Sequence, residues 1–377
     1  MPFSRPYLPE RSIAYANEVL RSRQLAGDLG YTKRCQSWLE SRTGAPRALL
    51  TSSGTHSLEL SALLAEIRPG DEVILPSFTF SSTANAFVLR GARICFVDIR
   101  PDTMNLDETR VEQAVNSKTR AIVPVHYGGV GCEMETLVEI ARSKRLLLIE
   151  DAAQALLATY KGKALGTFGE LGCLSFHETK NYTSGEGGAL LVNSDDYLDR
   201  AEIIREKGTN RSQFFRGQVA KYSWLDVGSS FLVSDLNAAL LYGQFEIAQE
   251  ILKKRLDIWN FYREALTSLE ETGRIGLPTV PSDCVHNGHV FYVKARDLEE
   301  RSALLEFLRS RGIGACFHYV PLHSSAAGKK FGYFHGVDRH TTQESERLVR
   351  LPLFFELTPT EMTYVCDGIL SFYEGRT

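Results

Sequence analysis

The sequence predicts an α/β protein, with a large, mostly parallel seven-stranded sheet covered by helices and a smaller C-terminal α+β domain. Two observations carry this. Seven short apolar runs, Ala48 to Thr51, Glu72 to Leu75, Arg93 to Val97, Ala121 to Val125, Leu146 to Ile149, Gly172 to Phe176 and Ala189 to Val192, alternate with longer amphipathic segments. That is the pattern of strands joined by helical crossovers. Most runs also lead into a polar or glycine-bearing loop, such as Pro76-Ser77-Phe78 or His126-Tyr127-Gly128-Gly129. In an open α/β sheet such strand-end loops converge on one cleft. A chain of 377 residues, 43% hydrophobic, can bury a large core, and the pattern prompts a division into residues 1–250 and 251–377.

Taken in order, Pro2, Pro6 and Pro9 keep the first residues extended. Arg11 to Arg21 then reads as a helix, with apolar positions at Ile13, Ala16, Val19 and Leu20. Leu25 to Gly30 is a loop, and Tyr31 to Arg42 a second helix. Lys161 to Phe168 reads as a glycine-rich hairpin or loop, and the chain after Val192 is charged and helical through Lys207. Gly208 to Ser223 has little periodicity and mixes Arg211, Arg216 and Lys221 with aromatics. A long irregular stretch in an enzyme is often a functional loop. These cations suit a diphosphate or a carboxylate held away from water, or they are simply solvated. Asp235 to Leu269 is a long helical stretch that bridges the halves, followed by a strand at Val290 to Val293, a helix at Glu299 to Ser310 and a second strand at Ile313 to Val320.

The chemistry concentrates in three stretches. In Phe176-His177-Glu178-Thr179-Lys180-Asn181-Tyr182, one lysine stands between a buried run and the glycine-rich Gly185, Gly187 and Gly188. Lys180 therefore sits on a strand-end loop, where a partly desolvated amine becomes a Schiff-base nucleophile; a solvated loop lysine is the alternative. The run Leu146 to Ile149 ends in Glu150-Asp151-Ala152-Ala153-Gln154. An ionised Asp151 there suits a protonated ring nitrogen and Gln154 a ring hydroxyl, although Asp151 is equally placed to cap a helix. Third, Thr51-Ser52-Ser53-Gly54-Thr55-His56 precedes the helical Leu58 to Leu64. Helix-start amides with hydroxyls beside them bind anions, so Gly54, Thr55 and His56, with Ser175, are the candidates for a phosphate. An aldehyde cofactor with a phosphate and a pyridine ring, pyridoxal phosphate, fits all three, with Phe80 placed to stack on the ring.

Composition narrows the class further. A net charge of −3 argues against a nucleic-acid partner. Seven cysteines, an odd number without a CxxC pair, read as reduced thiols rather than a disulfide framework, and no zinc pattern appears. The N-terminus lacks a basic-then-apolar signal, and no apolar stretch approaches the roughly 20 residues that span a bilayer, so a soluble, cytoplasmic protein is expected.

Ser52-Ser53-Gly54-Thr55, Pro76-Ser77-Phe78-Thr79-Phe80, Glu150-Asp151-Ala152-Ala153-Gln154 and Ser175-Phe176-His177-x-x-Lys180-Asn181 follow one another in the order and spacing of the sugar-nucleotide aminotransferases, which the chain resembles from about Leu25 to its C-terminus. The resemblance implies a fold-type-I pyridoxal phosphate enzyme. Lys180 would carry the cofactor and Asp151 pair with its ring nitrogen. Gln154 would meet the ring hydroxyl, Phe80 stack on the ring, and Thr55 and Ser175 hold the phosphate. It further implies an amino donor, L-glutamate, a nucleotide-linked keto sugar as acceptor, and a homodimer with active sites at its interface. Gly27 and Asp28 then become candidate substrate contacts, as does His318 in Phe317-His318-Tyr319-Val320-Pro321, where a structural histidine is the alternative.

Many relatives carry Gly-x-Asn-Tyr-Arg, whose asparagine reaches the neighbouring subunit's cofactor phosphate. This chain has Gly228-Ser229-Ser230-Phe231-Leu232, where Ser230 keeps a shorter donor and Leu232 cannot replace the arginine. That variant resembles the branch that converts dTDP-4-keto-6-deoxyglucose to dTDP-4-amino-4,6-dideoxygalactose for enterobacterial common antigen. Three alternatives stand beside it: another keto sugar or amination at C3, a sugar dehydratase, and a non-catalytic regulator. Lys180 speaks against the dehydratase, whose relatives carry histidine there.

Overall fold

The computed structural model describes residues 1–375, so 376 and 377 of the expected second domain lie outside the described residues. All seven apolar runs form strands of one sheet. Its order is Arg47–Thr51, Gly188–Val192, Leu171–Ser175, Leu147–Asp151, Thr119–Ile122, Glu72–Pro76, Arg93–Val97 and Gly332–Phe334. Gly188–Val192 runs antiparallel to both neighbours, and the other pairings are parallel. The sheet thus has eight strands rather than seven. The eighth, Gly332–Phe334, arrives from the C-terminal part of the chain and lies parallel to Arg93–Val97.

The helices cover both faces because adjacent strand residues point opposite ways. Leu50, Ile74, Cys95, Ile122 and Leu148 enter one core with Cys35 and Leu39 of Gly30–Thr43 and Ala238 and Leu241 of Asp235–Phe245. Their neighbours Leu49, Val73, Ile94, Ala121 and Ile149 enter the other, with Leu60 of Gly54–Leu64 and Phe87 of Ser81–Val88. A third core, from Ile258 to Tyr373, joins the helices Ala248–Glu271, Leu298–Ser310 and Pro359–Glu374 to the two-stranded sheet Tyr292–Lys294 and Leu348–Arg350.

Three expectations shift in detail. In the Ala121 to Val125 run the regular strand ends at Ile122; Val123 N still donates to Ile74 O at 2.8 Å, Pro124 has no N–H to donate but its carbonyl accepts from Asp151 N at 2.9 Å, and Val125 bridges Asp151. Asp235 to Leu269 is two helices, parted at Glu246 and Ile247. Ile313 to Val320 is not a strand. Only Cys316 bridges to Arg350, and Phe317 and Val320 are exposed, so the segment has no buried apolar face to hold it in a sheet.

Candidate active site

The strand-end loops close around one cavity of about 610 Å³, lined by Gly54, Thr55, Phe80, Asp151, Gln154, Ser175, Lys180 and His318 among others. Lys180 stands five residues beyond the strand Leu171–Ser175 in a loop that turns back at Gly185, whose φ of 79° suits glycine. Asn181 pins this loop to a distant part of the chain: its Nδ2 donates to Asn287 O at 3.0 Å, and its Oδ1 accepts from His289 Nδ1 at 2.8 Å. Lys180 is half-buried and its amine has no acceptor among the described residues. Desolvation brings its pKa down to about 8; the negative Asp151 opposes the fall and the positive Arg350 adds to it.

Asp151 is the last residue of Leu147–Asp151, and a turn follows rather than a helix, so it caps none. Its carboxylate accepts Thr83 Oγ1 at 2.7 Å and Ala153 N at 3.2 Å, faces the cavity and pairs with no cation among the described residues. Gln154 is held from both ends, Oε1 accepting Gly128 N at 2.7 Å and Nε2 donating to Tyr319 OH at 3.2 Å. Phe80, 59% exposed, caps the start of Ser81–Val88 and overhangs the cavity.

The anion site is the start of Gly54–Leu64. Ser53 Oγ accepts His56 N at 3.0 Å, which leaves the amides of Gly54 and Thr55 for a ligand. A Cβ at Gly54 would lie 2.7 Å from that of Ser175, so only glycine lets the helix start approach this closely. Thr55 Oγ1 shares a hydrogen with Ser82 Oγ at 2.7 Å. The His56 ring turns away from the cavity, its Nδ1 on Ser52 Oγ at 2.6 Å and its edge on Phe231.

A phosphate cradle, an unpaired carboxylate and a depressed amine on one cavity together fit pyridoxal phosphate. Bound there, it would be held by the Gly54 and Thr55 amides and Ser175 at the phosphate, Asp151 at the ring nitrogen and Lys180 at the aldehyde.

The remaining candidates lie elsewhere. Asp28 Oδ1 pairs with the buried Arg205 at 2.6 Å, and the neighbouring Gly27 packs on Val233. Arg211 faces Glu206 at 3.7 Å, Arg216 bonds Glu202 at 2.7 Å, and Lys221 and Ser230 are exposed. His318 does reach the cavity. It stacks on Tyr319 with ring centroids 3.5 Å apart, its Nδ1 meets Tyr127 OH at 3.1 Å, and burial lowers its pKa so that the ring is neutral.

Sequence reasoning missed Thr83, Arg255, His289, Tyr319 and Arg350, all on the cavity wall. Arg255 is occupied with the carbonyls of Gly288 at 3.1 Å and His289 at 2.8 Å. Thr83 stands one helical turn beyond Thr79, whose hydroxyl it meets at 2.8 Å; that i, i+4 pair of hydroxyls after the Pro76 strand end was the one local signal available.

Fold and site together define a fold-type-I pyridoxal phosphate enzyme. Residues 6–370 match the DegT/DnrJ/EryC1/StrS aminotransferase family, and the chain belongs to it. It is therefore a pyridoxal-phosphate-dependent sugar aminotransferase. Among its relatives, GDP-perosamine synthase of Escherichia coli O157:H7 is 30% identical over 379 residues, covering 100% of this chain and 99% of its own. The spore coat polysaccharide biosynthesis protein SpsC of Bacillus subtilis (strain 168) is 29% identical over 384 residues, covering 100% and 97%. The putative sugar aminotransferase Spr1654 from Streptococcus pneumoniae, in its PMP form, superposes with a TM-score of 0.92 at 26% identity, covering 100% of this chain and 99% of that one.

Proposed function

We propose that this aminotransferase moves the amino group of L-glutamate to C4 of dTDP-4-keto-6-deoxy-D-glucose, giving dTDP-4-amino-4,6-dideoxy-D-galactose for a cell-surface polysaccharide such as enterobacterial common antigen. The observation that carries amino transfer is Lys180, an amine with no acceptor among the described residues and a pKa brought down to about 8 by desolvation, on the same cavity as Asp151, which pairs with no cation among them. The substrate rests on the Gly228-Ser229-Ser230 variant, taken with His177-Glu178-Thr179-Lys180-Asn181-Tyr182.

Pyridoxal phosphate supplies the electron sink that lets the donor's α-carbon lose its proton. Lys180 Nζ takes that proton, and a base with a pKa near the working pH is the efficient choice. The amino group would stay with the bound cofactor between the two halves; Lys180 Nζ would give up the first proton at the cofactor's aldehyde carbon and, in the second half, carry one from there to sugar C4. Asp151 keeps a positive charge favourable at the ring nitrogen. Gln154, fixed by Gly128 and Tyr319, orients the ring hydroxyl.

The same reading makes the protein a homodimer, in which Ser230, Arg211, Arg216 and Lys221 serve the partner's site and Gly27 and Asp28 border it. Phe215, Trp224, Leu225 and Val227, all at least half exposed beside them, support an apolar interface there. Seven free cysteines, six of them buried, support a reducing, cytoplasmic setting. Among the described residues no helix is long and apolar enough to cross a membrane. The relative named GDP-perosamine synthase favours a second reading, a GDP-linked sugar in place of the dTDP one.

The test is turnover of cofactor-loaded protein with L-glutamate and dTDP-4-keto-6-deoxy-glucose beside Lys180→Ala, with the product identified by mass and NMR. The 4-amino-4,6-dideoxygalactose nucleotide from the parent, and at least about 10⁴-fold less from the variant, is expected. If glutamate yields keto acid while this sugar stays untouched, the substrate assignment fails and the GDP-linked sugar is next.

A further inference from the structure

Among the described residues the cavity guanidinium of Arg350 has neither an acid nor a carbonyl oxygen as partner, and this inference rests on the function proposed above. Its backbone is fixed on both sides: Arg350 ends the strand Leu348–Arg350 opposite Tyr292, and it exchanges N–H···O bonds of 2.8 and 3.2 Å with Cys316. The side chain is fixed too. Its guanidinium carbon lies 4.5 Å from the centre of the Phe3 ring, and Nη2 donates to Cys316 Sγ at 3.2 Å, a weak acceptor. Nε is buried and has no hydrogen-bond partner, and no acidic side chain pairs with the group among the described residues. By contrast Arg205, whose Nε is also buried and unpartnered, has Asp28 at 2.6 Å, and Arg255 donates to two carbonyls.

A buried N–H without an acceptor is costly, and a fixed guanidinium fork that meets only one weak sulfur acceptor is the shape that takes a carboxylate or a phosphate through paired hydrogen bonds. Phe3 and Ser4 line the cavity beside Arg350, so the stacked pair forms part of the wall a ligand meets. Its charge also reaches Lys180 and His318, lowering both pKa values, which puts the guanidinium close to the reacting centre.

We propose that Arg350 is the substrate oxyanion site of this enzyme, with Phe3 as the platform that holds its guanidinium in place. Two sources present that chemistry, a carboxylate of the amino donor and the diphosphate of the sugar nucleotide, and binding measurements separate them. Calorimetric titration of cofactor-loaded parent, Arg350→Lys and Arg350→Gln with glutarate, a dicarboxylate without an amine, and separately with dTDP reads affinity without turnover. Arg350→Gln is expected to weaken one of the two ligands about 10- to 100-fold and leave the other within twofold. Loss for glutarate alone identifies the donor carboxylate; loss for dTDP alone identifies the diphosphate. Arg350→Lys keeps the charge and loses the fork, so it weakens the same ligand by a smaller factor and carries the test if the glutamine variant does not fold. Both ligands bound as in the parent by the folded variants would overturn the assignment. A parent that binds both probes yet aminates no sugar defeats the proposed function alone, whereas unchanged binding in the variants of an active parent defeats this inference alone.

Discussion

Glu150 and Asp151 are neighbours on one strand and answer to different parts of the molecule. Glu150 is fully buried and accepts four donors: Gly166 N at 2.7 Å, Phe168 N at 2.6 Å, Gly169 N at 2.8 Å and His126 Nε2 at 2.9 Å. His126 Nδ1 accepts Cys132 N at 3.2 Å, which places the ring's hydrogen on Nε2 toward the acid. Asp151 points to the opposite side of the sheet and has two donors facing a cavity. The lysines repeat the contrast. Lys294 is buried against Glu344 at 2.7 Å and also donates to the Pro101 carbonyl, whereas Lys180 has no acceptor among the described residues. Structural charges in this protein are those whose partners the chain itself supplies; the site is where that supply stops.

The contrast breaks most visibly at the strand end. Glu150→Ala strands three backbone amides and a histidine donor in the core, and unfolding by urea should show a loss of about 4 kcal/mol. Asp151→Asn keeps Oδ1 as the acceptor for Ala153 N and turns its Nδ2 toward Thr83 Oγ1, which can accept instead of donate, so its unfolding free energy should move by less than about 1 kcal/mol while turnover falls about 10²-fold or more. If the two variants are equally destabilised, the division between structural and functional acid fails.

Lys180→Met should act in the other direction. The folded chain disfavours the ammonium, whose pKa is about 8 against an ordinary 10.5. Between those values the unfolded chain binds more protons, so stability of the cofactor-free parent rises with pH there. Removing the charge should therefore stabilise the cofactor-free protein at pH 7 by about 2 kcal/mol, allowing for solvent screening of a half-buried group. That advantage should be full below pH 8 and fade toward pH 10.5; a difference that is flat with pH would mean that the methionine gains by packing alone.

How much of this was legible in the chain follows from the same physics. The seven strands were readable because each buries both faces and so reads as a continuous apolar run. Gly332–Phe334 was not, since three residues inside Lys329-Lys330-Phe331-Gly332-Tyr333-Phe334-His335 carry no period. Lys180, Asp151 and Gly54 were readable because the turn chemistry that positions them is local. Tyr319 and Arg350 reach the cavity from segments that sequence spacing separates from Asp151 by more than 160 residues, and an arginine after Leu348-Val349 looks like any strand end. Nor does spacing show that Arg211 and Arg216 meet Glu206 and Glu202 in their own chain, because those acids belong to a helical stretch whose charges read as solvated.

The finest division of the comparison lies in Thr83. Its hydroxyl donates to Asp151 Oδ2 at 2.7 Å and meets Thr79 Oγ1 at 2.8 Å, and all three residues are buried. Because the hydroxyl at Thr79 accepts or donates as needed, the Thr83 hydrogen is free to point at the carboxylate. Thr83→Val keeps the shape of the side chain and removes that one donor, leaving Asp151 with Ala153 N alone. A hydrogen bond to a charged group contributes about 1.5 kcal/mol, so cofactor affinity measured by spectral titration should fall about tenfold, with the fold unchanged by circular dichroism. If affinity holds and only stability falls, Thr83 belongs with His126 among the groups that serve the scaffold.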